Sequence, residues 1–196
     1  MKKIGILILA VAFVSMSFVS LTSEVESKLK VDVTNSSIKW KGYKPIGSHH
    51  GTIALLNGEL KMRGAKLKGG FFKVDMLSLK DADNSKKLEG HLKSKDFFEV
   101  EVFPIATFEI AGSENKDGKT YIFGEMTIKD ITKEMTIPAI VTENNGTITL
   151  TTETFKINRA EFNIKYKSKS FFNNLKEKFI NDQFDLQATI VANKKK

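Results

Sequence analysis

The dominant pattern along the chain is an alternation of apolar and polar residues with period two, the signature of β-strands that bury one face. Ile38 and Trp40 alternate with Lys39 and Lys41, and Phe72, Val74 and Met76 with Lys73 and Asp75. Ile122, Met126 and Ile128 share one face, opposite Glu125, Thr127 and Lys129. Met135, Ile137, Ala139 and Val141 continue the pattern, as do Ile148 and Leu150. The clearest run is the last, in which Phe184, Leu186, Ala188, Ile190 and Ala192 interleave with Asp185, Gln187 and Thr189. These apolar positions are predicted to face inward. Between the runs lie Asn57-Gly58, Gly69-Gly70, Lys116-Asp117-Gly118 and Asn144-Asn145-Gly146. Such residues accept the positive φ of tight hairpins, so neighbouring strands are predicted to be antiparallel. Strands joined in this way form a sandwich or a closed barrel, and periodicity does not choose between them.

Two segments interrupt the strand rhythm. Residues 84–95 are polar with spaced leucines and read as a short helix, weakened by Gly90. Residues 168–181 read as a better one: Phe171, Leu175 and Phe179 at i, i+4 and i+8 make an apolar stripe beside a lysine-rich face. Phe172 widens that stripe, and a helix here is predicted to cross a barrel mouth or a sheet face.

The N-terminus adds a destination. Met1-Lys2-Lys3 precedes an unbroken apolar run from Ile4 to Val14, and small polar residues follow. Residues 1–22 therefore read as a secretory signal peptide with cleavage between 17 and 23, leaving residues 23–196 as a single domain. The run falls short of the roughly 20 residues needed to span a bilayer. A periplasmic or secreted location is expected. The chain has no cysteine, which removes disulfides, thiol nucleophiles, Cys-based metal sites and a lipid-anchored cysteine. The net charge is +8, spread along the chain apart from the closing Lys194-Lys195-Lys196. Solvated lysines account for most of it, and anionic lipid headgroups are the partner such a surface favours. An exported chain is not expected to meet nucleic acid.

Catalytic chemistry is thin. His49, His50 and His91 are the three histidines, and adjacent residues on a strand point to opposite faces. No nucleophile elbow, P-loop, dinucleotide fingerprint or zinc-protease motif occurs. No catalytic residue, metal or cofactor is expected. Phenylalanine is the unusual component, with 15 Phe against one Trp and three Tyr. An ordinary aromatic core accounts for this, and so does an apolar cavity for a hydrocarbon chain.

One block is more specific. Gly90-His91-Leu92-Lys93-Ser94-Lys95-Asp96-Phe97-Phe98-Glu99-Val100, continuing through Phe103-Pro104 to Phe108, resembles the signature of the YceI-like family. Residues 124–128 with Ile131-Thr132-Lys133, and the stretch from Phe155 to Ile164, are similar to two further family patterns. The resemblance runs from about Val31 to Ala192. Departures are Asn158 for the usual Asp before Arg159, and Asn163 and Asp130 where glycines are usual.

The resemblance implies an all-β, lipocalin-like antiparallel β-barrel of about eight strands with one or two short helices. It further implies binding of a long-chain isoprenoid or other amphiphilic lipid outside the cytoplasm, without catalysis. Ile38, Trp40, Phe72, Val74, Phe108, Ile122 and Met126 would then line a tunnel, with Phe171, Phe172 and Phe179 over its mouth. His49, His91 and Lys165 would meet a ligand headgroup at the rim. Transient contact with a membrane surface and a homodimer are further expectations. Two other readings stay open: an enzyme on a lipid-like substrate using rim histidines, and a stress-related interaction protein with a filled core.

Overall fold

In a computed structural model the described residues are 25–193. The expected signal peptide and the closing lysines lie outside them. The elements are β1 (Glu26–Val31), β2 (Ser37–Tyr43), β3 (Ser48–Arg63), β4 (Lys66–Asp81), α1 (Lys86–Lys93), β5 (Ile105–Lys116), β6 (Lys119–Ile128), β7 (Ile131–Asn144), β8 (Thr147–Thr152), β9 (Phe155–Asn158), a 3₁₀ turn (Arg159–Phe162) and β10 (Gln183–Asn193).

All ten strands form one antiparallel sheet, and β10 pairs with both β2 and β8, which closes the sheet on itself. The ring has eight staves, because two of them are interrupted. One half of β10 pairs with β2 (Ala188 opposite Ile38), and its end pairs with β1 (Ala192 opposite Val31). β1 and β2 are thus one stave broken at residues 32–36, where Asp32 caps the turn by accepting from the Thr34 and Asn35 amides. β8 and β9 form the second broken stave, with Thr152 Oγ1 accepting from the Ala188 amide at the gap. The ring is closed through β10, while β9 pairs only with β10 and the first half of β7 has no strand on its β8 side.

The alternation predicted from sequence places its apolar positions inward: Ile38, Phe72, Ile122, Met126, Ile128, Ile137, Ala139, Ile148, Leu150, Ile190 and Ala192 are buried. β3 shows why its own pattern was illegible. Inward positions run Gly51, Ile53, Leu55 and then Gly58, Leu60, Met62, because the register shifts at Leu55/Asn57 and leaves Leu56 half exposed. A bulge adds one residue and flips the phase of everything beyond it. Asn57-Gly58 and Gly69-Gly70, predicted as turns, are therefore inside β3 and β4. Gly58 serves close packing instead: a Cβ there would sit 2.9 Å from both the Phe71 carbonyl oxygen and the Phe72 ring. The other two predicted turns hold, with Asp117 (φ 51) and Gly118 (φ 75), and Asn145 (φ 48) and Gly146 (φ 79), in the left-handed region. Asp130 (φ 57) and Asn163 (φ 57) adopt the same conformation, so both departures from glycine keep the backbone a glycine would allow.

The helix expected over 84–95 forms as α1, with the Ser85 hydroxyl accepting the Leu88 amide as its N-cap. The helix expected over 168–181 does not form; the segment is a chain of turns. The amides that would close its last turn go to other partners: Ile180 donates to the Lys167 carbonyl and Asn181 to the Tyr43 carbonyl, both at 2.9 Å, and Lys176 is left-handed (φ 47). Asparagine and phenylalanine are weak helix formers, so these tertiary bonds override the stripe.

Candidate functional site

The short hairpins β3/β4, β5/β6 and β7/β8 all lie at one end of the barrel. The two long connections, residues 82–104 and 159–182, lie at the other. Residues near the first end are fully packed: Leu60, Ala139 and Ala192 have no exposure, and Met62 and Ile148 have 1%. Toward the second end the barrel is hollow, with a cavity of about 340 Å³. That lies within the roughly 300–1,000 Å³ usual for small-molecule sites.

The walls are apolar by construction. Phe72, Phe108 and Met126 sit opposite one another across β4, β5 and β6. Ile53 opposes Ile38, which opposes Ala188; Trp40 opposes Leu186. Ile122, Ile137, Leu150 and Ile190 form the deep, buried part of the lining. Trp40 is fixed by its Nε1, which donates to the Lys80 and Thr52 carbonyls at 3.1 and 3.3 Å. Gly51 makes this approach feasible, since a Cβ there would lie 1.9 Å from the Lys80 oxygen.

Most polar groups of the lining belong to the rim: Tyr43, Lys44, His49, His91, Arg159 and Asn181. Arg159 organises that rim. It is 3% exposed, and it donates from Nε to the Asn181 carbonyl, from Nη1 to Ile164 and from Nη2 to Ile180, all within 3.1 Å. Its charge is balanced by Asp182, 3.2 Å away. Burial draws the guanidinium below its ordinary pKa, opposed by Asp182. Burial pushes the Asp182 carboxyl up, but the Ser168 and Ser170 hydroxyls and Arg159 together hold it below the usual carboxylate value. Both stay charged near neutral pH. The guanidinium also lies 5.6 Å from the Phe97 ring centroid.

Aromatic rings complete the roof. His91 packs edge-on against Phe97 (5.1 Å) and Tyr166 (4.6 Å), and Phe98 edge-on against Phe184 (6.3 Å). Lys129 ties this layer to the β6/β7 hairpin by donating to the Phe97 carbonyl and pairing with Glu99 at 3.1 Å. Beside the cavity, Tyr43 Oη donates to Asp185 at 2.6 Å, and Lys156 does the same from the other side. Burial raises the Asp185 carboxyl, the two hydrogen bonds outweigh it, and the Tyr43 hydroxyl is pushed upward by its carboxylate partner.

His49 Nδ1 is 3.9 Å from Asp81 Oδ1, and neither atom has a hydrogen-bond partner. Together with Asp83 their donor atoms lie within 4.8 Å of one another. An imidazole and two carboxylates can hold a divalent cation. His91 lies outside that group, packed in the aromatic roof with its Nε2 3.5 Å from Asp96 Oδ2.

All seven wall positions proposed from sequence, Ile38, Trp40, Phe72, Val74, Phe108, Ile122 and Met126, line the cavity, as do His49 and His91. Phe171, Phe172 and Phe179 do not: the first two are 41% and 48% exposed, and Phe179 is half-buried. They lost that place with the helix that was to carry them. Lys165 is exposed and also outside the lining, its Nζ 5.2 Å from the Phe171 ring centroid. The roof is made instead by His91, Phe97, Phe98 and Arg159, with Tyr166 packed behind His91 and Phe97. Phe97-Phe98 and Arg159 were visible as family motifs, but nothing in their spacing announced that they meet.

Comparison with known proteins agrees with this architecture. The YceI-like domain matches residues 29–192. A UPF0312 protein of Pseudomonas putida strain F1 is 27% identical over 119 residues, 58% of this chain and 60% of that protein. A UPF0312 protein of Azotobacter vinelandii is 28% identical over 54% of each chain. The chain thus matches under two thirds of the length of these relatives. Among solved structures, Burkholderia cenocepacia BcnA superposes with TM-score 0.68 at 21% identity, covering 83% of this chain and 99% of that one. A polyisoprenoid binding domain from Saccharophagus degradans superposes with TM-score 0.64 at 11% identity, covering 85% and 98%. The Campylobacter jejuni YCEI protein superposes with TM-score 0.55 at 18% identity, covering 100% and 94%. At these identities the likeness is one of fold.

Proposed function

The chain belongs to the YceI-like family, and on that premise we propose that it binds and carries a long-chain isoprenoid or related amphiphilic lipid in its barrel. The observation that carries this reading is the cavity: about 340 Å³, walled by hydrocarbon, with its charged groups held at the rim. Such a space binds through contact area. Each buried methylene contributes about 0.8 kcal/mol, so a chain of ten or so suffices for useful affinity without any polar anchor. A chain longer than the cavity extends through the roofed end, where Tyr43, His49 and Asn181 offer hydrogen bonds to a headgroup. The polyisoprenoid binding domain among the structural neighbours supports the same ligand class. The reading is of a binding protein acting outside the cytoplasm after export through residues 1–22. The hollow interior weighs against a solid-cored interaction protein.

Native mass spectrometry of protein recovered after export tests the reading. Bound lipid, or uptake of added polyprenol, is expected in the parent. Ala188→Phe, which places a ring in the cavity, is expected to abolish uptake while the barrel still folds. Recovery of empty protein that takes up no added polyprenol overturns the proposal.

A further inference from the structure

The 159–182 connection carries a feature that ligand binding in the barrel does not use. Between Ile164 and Asn181 it holds Lys165, Lys167, Lys169, Lys176 and Lys178 against the single acid Glu177. Among those lysines Phe171 and Phe172 stand exposed (41% and 48%). The segment is held to the barrel end at both sides, by Arg159 on the Ile180 and Asn181 carbonyls and by Asp182 on the Ser170 hydroxyl at 2.7 Å. The Asn181 amide donates to the Tyr43 carbonyl, which sets the β2/β3 hairpin beside it. The tip of that hairpin presents Ile46, 81% exposed, next to Lys44. At the opposite end of the barrel the hairpin tips are Gly64-Ala65, Asp117-Gly118 and Asn145-Gly146, without a large apolar side chain.

Two exposed rings and an isoleucine set among lysines at the end where the cavity lies match the chemistry of an anionic bilayer surface. Aromatic rings enter the acyl boundary while lysines meet phosphate headgroups. Lys165 and Lys169 already lie over the Phe171 and Phe179 rings, at 5.2 and 3.6 Å, so cation and ring would approach the surface together. We propose that Ile46, Phe171 and Phe172, flanked by the lysines of residues 165–178, dock the hollow end of the barrel on anionic membrane, so that a lipid chain passes between bilayer and cavity without crossing water. This deepens the proposed function and rests on it for its purpose, but the docking is a separate physical event.

The chain has no cysteine, so single cysteines can carry a polarity-sensitive dye at chosen sites. The experiment uses Ile46→Cys and Phe172→Cys at the hollow end and Asn145→Cys at the far end. Each is mixed with vesicles of phosphatidylcholine or of equimolar phosphatidylcholine and phosphatidylglycerol. Docking predicts a blue shift and quenching by lipid-borne nitroxide at 46 and 172 on anionic vesicles, and neither at 145. Lys165→Gln and Lys178→Gln should each weaken vesicle binding roughly fivefold. An unchanged spectrum at 46 and 172, or an equal shift at 145, overturns the proposal. Polyprenol uptake from dispersed solution is measured on the same proteins. Uptake without docking sinks this inference alone, whereas docking without uptake sustains it and counts against the lipid cargo.

Discussion

The packed and hollow ends of this barrel are built from the same strands. Ala192 and Ala188 lie on one face of β10, four residues apart, yet Ala192 is fully enclosed and Ala188 borders a cavity. At the packed end the β1 half of the broken stave sets Leu29 opposite Leu60 and Val31 opposite Ala192, and the interior is filled. At the hollow end the wall side chains leave a cavity of about 340 Å³, and closure is left to two connections that lie across the opening. The difference teaches that an eight-stave ring decides neither outcome; what fills it is set by the side chains it turns inward at one end and by the connections across the opening at the other.

Mutations at matched positions separate the two ends. The largest effect is expected for Leu60→Ala in the packed end, a loss of about 3–5 kcal/mol in chemical denaturation, since the filled surroundings cannot collapse onto the space. Next comes the pair on β10. Ala192→Phe should cost about 3 kcal/mol by overpacking, whereas Ala188→Phe should change stability by under about 1 kcal/mol, the ring entering existing space. Equal costs at the two positions would show that the cavity is not there.

Arg159→Met removes the clamp of the hollow end and should cost about 2 kcal/mol, with faster proteolysis within residues 164–181 as the local readout. The same clamp has a pH signature. Asp182 titrates below its ordinary 3.8 in the folded chain, so its contribution is complete above that value and fades as pH falls through the lower folded one. Asp182→Asn should therefore flatten the acid limb of the stability profile below pH 3.8 and lower stability at neutral pH. The smallest effect is expected at the β6/β7 turn: Asp130→Gly relieves a left-handed residue and should raise stability by under about 1 kcal/mol.

Much of the hollow end's wall was legible because it is made of uninterrupted alternation. Ile38, Phe72, Ile122 and Met126 needed only period two. β3 was not, because its bulges move the inward face from odd to even positions. The roof was misplaced for a different reason. The i, i+4, i+8 spacing of Phe171, Leu175 and Phe179 suits a helix, but spacing cannot show that the Ile180 and Asn181 amides such a helix would use go to the Lys167 and Tyr43 carbonyls instead.

What the sequence determined alone is therefore local and repetitive. Alternation fixed which residues of most strands face inward, and the Asp-Gly and Asn-Gly turns fixed two hairpins. Ring closure through β10, the two broken staves, the filled and hollow ends and the Arg159 clamp were decided only in the tertiary structure. Each depends on residues distant in sequence meeting at one place, and neither local propensity nor periodicity carries information about which distant partner will be there.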